Sequence, residues 1–270
     1  MRPIFNVPGE GSFAFLMGII SGYPTGAKIV SSLKEKKICN AEECERLLAF
    51  TNNSGPLFIV GTVGAGLFGN SSIGFLLLIT HILACITVGF LFRFWKCNKK
   101  YRYRNNEETN DAPGLVDIGN LGEVLGSSIK NSINTIVMIG GFVVLFSVIN
   151  SMLDNTHFFD LLTTIFSPIF NIFGLSSSFC DSIFSGIIEL TNGVSKVCAI
   201  PSKEISTNII ICAFLLGFGG FSILLQVLSI TSKNNISIKP YIIGKSLHAC
   251  FAAFYTFLIL QNSMIFNFNL

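Results

Sequence analysis

From Leu47 to Phe92 the sequence contains no Asp, Glu, Lys or Arg. A helix needs roughly 20 apolar residues to cross a bilayer, so this run holds two spans, with Gly69-Asn70-Ser71-Ser72 as the turn between them. Residues 132–153, 206–230 and 246–264 are three further stretches of spanning length with little or no charge. Segments 11–31, 158–176 and 180–200 are apolar but interrupted by Pro, Gly or a charge. The expectation is an all-α polytopic membrane protein of about eight membrane segments.

Composition agrees with this reading. Only 12% of residues are charged, 50% are hydrophobic and the mean hydropathy is +0.64. A soluble domain carries about 25% charge to keep its surface wet, so the solvent of this chain is lipid. The net charge of +3 is too small to point to nucleic acid. Eight cysteines are present, but Cys85, Cys198, Cys212 and Cys250 sit in apolar runs and no CxxC or Cys/His metal spacing occurs. They read as small apolar residues. The opening Met1–Pro8 lacks a basic n-region and an apolar h-region, so no signal peptide is expected there.

Two polar stretches divide the apolar ones. Residues 32–46 carry Lys34, Lys36 and Lys37 against Glu35 and three later Glu. Residues 93–113 carry Arg93, Lys96, Lys99, Lys100, Arg102 and Arg104, a basic cluster directly after a span, which marks the cytoplasmic side. Ile118, Leu121, Leu125 and Ile129 then recur at three and four residues, the spacing of an amphipathic helix lying along the interface before the 132–153 span.

The chain also resembles itself. Gly18-Ile19-Ile20-Ser21-Gly22-Tyr23-Pro24-Thr25-Gly26-Ala27-Lys28 stands beside Gly186-Ile187-Ile188-Glu189-Leu190-Thr191-Asn192-Gly193-Val194-Ser195-Lys196. After each comes Ala-Phe and an interruption, Ala49–Pro56 in the first copy and Ala213–Ser222 in the second. Two repeats result, with units at 1–92 and 177–270 separated by a basic loop and interfacial helix (93–131) and by connecting membrane segments (132–176).

The interruptions carry the chemistry. Pro56 lacks an N–H, and Asn52 and Asn53 compete for backbone hydrogen bonds. Irregular backbone at membrane depth must be buried or line a cavity, and transporters with repeated halves bind their solutes at such discontinuous helices. Gly217, Gly219 and Gly220 also suit close helix packing, which leaves Asn52-Asn53 and Glu189–Asn192 unexplained. Glu189 is an ionisable group inside a membrane segment and hence a functional candidate. Lys196, two turns on, is too far for a direct pair, so each needs another partner. Lys28 and Lys196 could instead snorkel to the interface. His81 and His248 read as polar contacts between helices, and Asp160 and Asp181 as interfacial. With loop 93–113 inside and 158–176 crossing once, the repeats are inverted, with Lys233 and Lys239 inside and Leu270 outside.

These residues resemble the YlbJ family of sporulation integral membrane proteins. The resemblance is carried by Arg2–Gly11, by Ser21-Gly22-Tyr23-Pro24-Thr25-Gly26-Ala27-Lys28, by Glu189-Leu190-Thr191-Asn192-Gly193, and by Gly217–Ser222 with its extension to Gln226-Val227. It spans essentially the whole chain. It implies membership of the nucleoside-recognition (Gate) superfamily, similar to concentrative nucleoside transporters, and a role in building the spore cortex from the mother-cell membrane. Family members usually carry further hydrophobic segments before the Arg-Pro-Ile-Phe-Asn motif, so a shortened chain is expected.

The reading is therefore a multi-pass cell-membrane protein that binds or moves a small polar solute during sporulation, with a non-transporting scaffold for cortex-building proteins as the alternative. Candidate substrate-binding residues are Tyr23, Thr25, Asn52, Asn53, Ser54, Glu189, Thr191, Asn192, Ser222 and Gln226. No catalytic carboxylate pair, nucleophile elbow, HExxH or phosphate loop is present, so an enzyme is not expected. No cofactor or metal is expected either. Membrane lipid is the expected partner. A coupling ion and a homo-oligomer are compatible with the reading, and nucleic acid is not.

Overall fold

The computed structural model describes residues 1–96, 121–172, 174–201 and 205–262. Among them every regular element is a helix. A short α1 (Arg2–Phe5) leads to α2 (Gly11–Ser21) and α3 (Thr25–Glu35), then α4 (Ala41–Thr51), a π-helical segment (Leu57–Leu67) and α5 (Ser71–Phe92). After the basic loop come α6 (Leu121–Asn155), α7 (Phe158–Ile172), α8 (Ser177–Ile188) and α9 (Leu190–Ala199). The chain continues through α10 (Ile205–Phe218), α11 (Gly220–Thr231), a 3₁₀ turn (Ser232–Asn234) and α12 (Lys239–Gln261).

Two of the apolar stretches turn back on themselves. A Cβ placed on Gly193 would lie 2.1 Å from Gly186 Cα, whereas seven residues of straight helix would separate the two by about 10 Å. α8 and α9 are thus a hairpin turning at Glu189, closed by two glycines whose backbones touch. α2 and α3 form a second hairpin turning at Gly22-Tyr23-Pro24, with Gly18 packed against Gly26 and against the Thr51 carbonyl. Gly22 takes φ +74° at that turn, a conformation that side-chain-bearing residues rarely adopt. Each hairpin is followed by a helix broken midway. α4 stops at Thr51 and resumes past Pro56 as the π-segment; α10 stops at Phe218 and resumes as α11 past Gly219, at φ +86°.

The sequence expectation of about eight membrane segments meets a smaller count of helices long and apolar enough to cross. These are α5, α6, the α10–α11 stretch continued to Asn234, and α12, with the bent pair α7–α8 as a fifth. The reason lies in the breaks. An 11-residue helix is about 16 Å long, half the hydrocarbon core, so residues 11–31 and 180–200 enter as hairpins of short helices. The amphipathic stretch expected before the 132–153 span is not a separate helix from Leu121 onward, because α6 runs unbroken from Leu121 to Asn155. Ile118 and most of loop 93–113 lie outside the described residues.

The core is built by α12 packed against α10, α5 and α4. Leu47, Leu48, Phe50, Leu76, Leu77, Leu215, Leu216 and Tyr241 are fully buried there. α6 is peripheral: 11% of its most apolar window is buried, against 67% for the α10–α11 stretch. Its contacts fix the direction of its neighbours. Asn192 at the start of α9 bonds Ser147, and Lys196 near its end bonds Asp154, so α9 runs with α6. Gly220 abuts the α8/α9 turn and Ser229 reaches Met138, so α11 runs against α6. Ser31 and Glu35 of α3 meet Ile230 and Asn234 past the far end of α11. α3 therefore leaves the centre along α11, in the direction opposite to α9.

Candidate functional site

The four breaks form one chain of contacts. Gly22 lies against Gly55, joining the first hairpin turn to the α4 break. The Tyr23 hydroxyl donates to the Leu216 carbonyl at 3.2 Å and sits beside Gly219, joining it to the α10 break. Gly220 packs on the Gly186 and Ile187 carbonyls and the Leu190 nitrogen, joining that break to the second hairpin turn.

At the α4 break the freed backbone groups are held by side chains. Asn53 Nδ2 donates to the Phe50 carbonyl at 2.9 Å, and the Cys85 thiol of α5 reaches the same oxygen at 2.9 Å. The Ser54 N–H donates to His81 Nε2 of α5 at 3.3 Å. Asn52 Nδ2 donates to the Tyr241 hydroxyl of α12 at 3.1 Å. This is how non-helical backbone survives where neither water nor lipid can satisfy it. Several buried polar atoms at the breaks have no partner among the described residues: Asn52 Oδ1, Asn53 Oδ1 and Ser54 Oγ, with Ser222 Oγ and Gln226 Oε1 one turn apart on α11. Leaving a buried polar atom unpaired costs about 1–3 kcal/mol, so such a group of oxygens marks a place to look for a ligand.

The second hairpin turn is built differently. Glu189 is 2% exposed and has left the helical conformation, so it caps α9. Its carboxylate accepts the Asn192 N–H at 2.9 Å and the Thr191 hydroxyl. A carboxylate at a helix N-terminus is favoured by the orphan N–H groups and the dipole there. The side chain of Asn192 crosses to Ser147 at 3.1 Å, and Asn150 Nδ2 of α6 donates to the Ser185 carbonyl at 3.0 Å. Lys196 is not the partner of Glu189. It lies within 3.2 Å of both Asp154 and Asp181. Lys28 bonds the Thr135 hydroxyl.

Of the residues singled out from sequence, Tyr23, Asn52, Asn53 and Ser54 meet around the first hairpin turn and the α4 break. Glu189, Thr191 and Asn192 share the second hairpin turn, and Ser222 and Gln226 stand on α11 between the two. Thr25 is half-buried at the start of α3.

Sequence reasoning missed Lys245. It is 3% exposed, its Nζ donates to the Tyr23 hydroxyl at 3.4 Å and lies 5.1 Å from that ring's centroid. No carboxylate pairs with it among the described residues. His81 and His248, read only as polar contacts, prove to be one buried pair with ring centroids 4.3 Å apart. A signal was present, since Tyr241, Lys245 and His248 recur at four and three residues and so share one helix face. Lys245 lies just outside the charge-free 246–264 stretch, whereas α12 begins at Lys239.

Over 96% of its length the chain is 36% identical to the sporulation integral membrane protein YlbJ of Bacillus subtilis (strain 168). The chain belongs to the YlbJ family. It spans 66% of the length of that relative. No family model matches the chain. No solved structure matches it. In this YlbJ-family chain three of the four stretches that carried the resemblance, Ser21–Lys28, Glu189–Gly193 and Gly217–Gln226, coincide with three of the four breaks; the fourth, Arg2–Gly11, lies in α1 and the lead into α2.

Proposed function

We propose that this membrane protein binds and moves a small polar solute bearing an acidic group, at the site where its four helix breaks meet. One observation carries the reading. Lys245 is buried on a membrane helix beside a tyrosine hydroxyl, with no carboxylate partner among the described residues, next to breaks rich in unpartnered side-chain oxygens. A buried ionisable group is expensive in a membrane and marks a solute or ion path by default. An uncompensated cation selects an anion, and the amide and hydroxyl oxygens around it would receive the donors of a polar solute.

The arrangement of the helices supports a transporter-like architecture. Each unit is a hairpin followed by a broken helix, and α3 and α9 leave the centre in opposite directions. Lys28 and Lys196 reach α6 at Thr135 and Asp154, roughly 28 Å apart at ~1.5 Å per residue, close to the thickness of the hydrocarbon core. In our reading the units are inverted repeats, the geometry that gives a two-sided site for alternating access. The hairpins then count among about eight membrane-embedded segments. In our reading the role is at the mother-cell membrane, in formation of the spore cortex; the likeness to a sporulation integral membrane protein supports a role in sporulation.

The test is complementation of a sporulation defect with Lys245→Met, Asn53→Ala, Asn192→Ala and Glu189→Gln, with membrane expression measured in parallel. Loss of function in Lys245→Met and Asn53→Ala at normal expression is expected. Full function in both would favour a scaffold that needs the fold and not the polar centre.

A further inference from the structure

We propose that His81 is a proton-binding site whose protonation releases the α4 break, making the proton the ion to which the solute site responds. The tautomers can be assigned from the partners. The Ser54 backbone N–H can only donate, so His81 Nε2, 3.3 Å away, presents its lone pair and the ring proton sits on Nδ1. The His81 carbonyl can only accept, so His248 Nε2, 3.0 Å away, carries a proton and its Nδ1 holds the lone pair. Both Nδ1 atoms are buried without a partner among the described residues. The pair is a stack of two neutral imidazoles, one of which props open an interruption in a membrane helix.

A proton taken from water by His81 Nε2 converts that nitrogen from acceptor to donor. It then faces the Ser54 N–H, and the bond is lost. Ser54 stands between Asn53, whose amide holds the Phe50 carbonyl, and Gly55, which touches Gly22 of the first hairpin turn. Loosening Ser54 therefore loosens the junction between hairpin and broken helix, where the solute site lies. The closed arrangement binds this proton less tightly than the open one, so lowering the pH favours the open form.

The charged and titratable groups facing the pair set the sign of the coupling. On α12 Lys245 is one turn before His248, and Tyr241 lies one turn further back. On α5 Cys85 lies one turn beyond His81, and from the hairpin turn Tyr23 approaches Lys245. On α4 Glu45 and Arg46 lie at the opposite end, tied to Trp95 and Lys96. On α10 Cys212 faces Cys198. The basic group nearest the pair is Lys245, which when protonated opposes a second positive charge. An acidic solute opposite Lys245 removes that opposition, so solute and proton favour each other's binding by linkage. This last step rests on the proposed solute. The release of the break by a proton does not.

The experiment is hydrogen–deuterium exchange of the purified protein without solute, between pH 5 and 8, corrected for the exchange of unstructured chain at each pH. Peptides covering 52–58 should open more as pH falls, by up to about tenfold per unit for a one-proton step. Peptides covering 215–222, at a break with no titratable side chain, should not change. His81→Gln keeps an acceptor for the Ser54 N–H and cannot titrate, so its opening should be flat; His81→Asn, whose shorter amide loses that acceptor but cannot titrate either, should open more at every pH and be equally flat, and serves if the glutamine variant fails to reach the membrane. His248→Gln should retain the response. A flat wild-type profile overturns the proposal. So does a response that survives in His81→Gln. Neither outcome depends on whether an acidic solute binds.

Discussion

At Asn52–Gly55 two of the groups that hold the broken backbone, His81 and Cys85, come from another helix, and Tyr241 of a third grips Asn52. At Glu189 the cap is made within three residues, by the carboxylate of the break itself. The first break exists only while α5 and α12 are in register with it. The second carries most of its own support and meets α6 at the turn through Asn192 and Asn150 and further along α9 through Lys196. A break wired to neighbouring helices can report their movement or respond to it. A self-capped one behaves as a rigid hairpin. Buried oxygens without a partner among the described residues occur at both breaks, Asn150 Oδ1 and Ser185 Oγ at the second, but the buried Lys245 stands beside the first, so the part of the site that responds and the part that recognises are the same.

Perturbing the first break should cost function first and stability second. Lys245→Met removes a buried charge and keeps the apolar stem, so the protein should fold while affinity for acidic solutes falls by about 100-fold, the scale of losing one desolvated charge pair. Equilibrium binding on protein matched for membrane yield reads this out. Affinity equal to wild type would dissolve the distinction between the two breaks.

Packing gives an effect of comparable size, and it falls on the second hairpin. Gly193→Val would drive a side chain into the Gly186 backbone, 2.1 Å from its Cα. We expect a loss of 3 kcal/mol or more, roughly the upper end of overpacking costs, seen as a lower midpoint in thermal unfolding in detergent. A midpoint within a degree of wild type would mean that the hairpin does not close there.

The caps themselves should separate in size. Asn53→Ala leaves part of the break unsatisfied and should cost about 1–3 kcal/mol. Glu189→Gln retains an oxygen for the Asn192 N–H and should cost less than about 1 kcal/mol. The reverse order would show Glu189 to be the more globally connected residue. Smallest of all, Lys196→Met should change stability by under ~1 kcal/mol, because its partner carboxylates are partly exposed and such pairs contribute little.

Much of this was legible in the chain. The absence of charge from Leu47 to Phe92 fixed the solvent, and the two Gly-Ile-Ile segments located both hairpin turns. Pro56 and the Gly217–Gly220 run located both broken helices. What sequence could not supply was the third dimension of the polar residues. Glu189 reads as an unexplained charge until its carboxylate is seen on its own helix start. Lys196 reads as a snorkelling lysine until α6 brings Asp154 to it. Hydropathy reads about eight segments where four or five helices among the described residues are long and apolar enough to cross, because it scores a hairpin of two short helices like a single span. Lys245 was overlooked because a charge at the edge of an apolar stretch is treated as its boundary, although here the helix begins six residues earlier.

The central claim is that an uncompensated positive charge faces the α4 break. It can be tested without knowing the solute. Ser54→Cys, in a background with the other cysteines replaced by Ser, which at position 85 keeps a donor for the Phe50 carbonyl, is exposed in membrane vesicles to a negatively charged and a positively charged methanethiosulfonate reagent of similar size. The prediction is that the anionic reagent reacts about tenfold faster or more, and that Lys245→Met abolishes the difference. Equal rates in the presence of Lys245, or faster reaction with the cationic reagent, would contradict it.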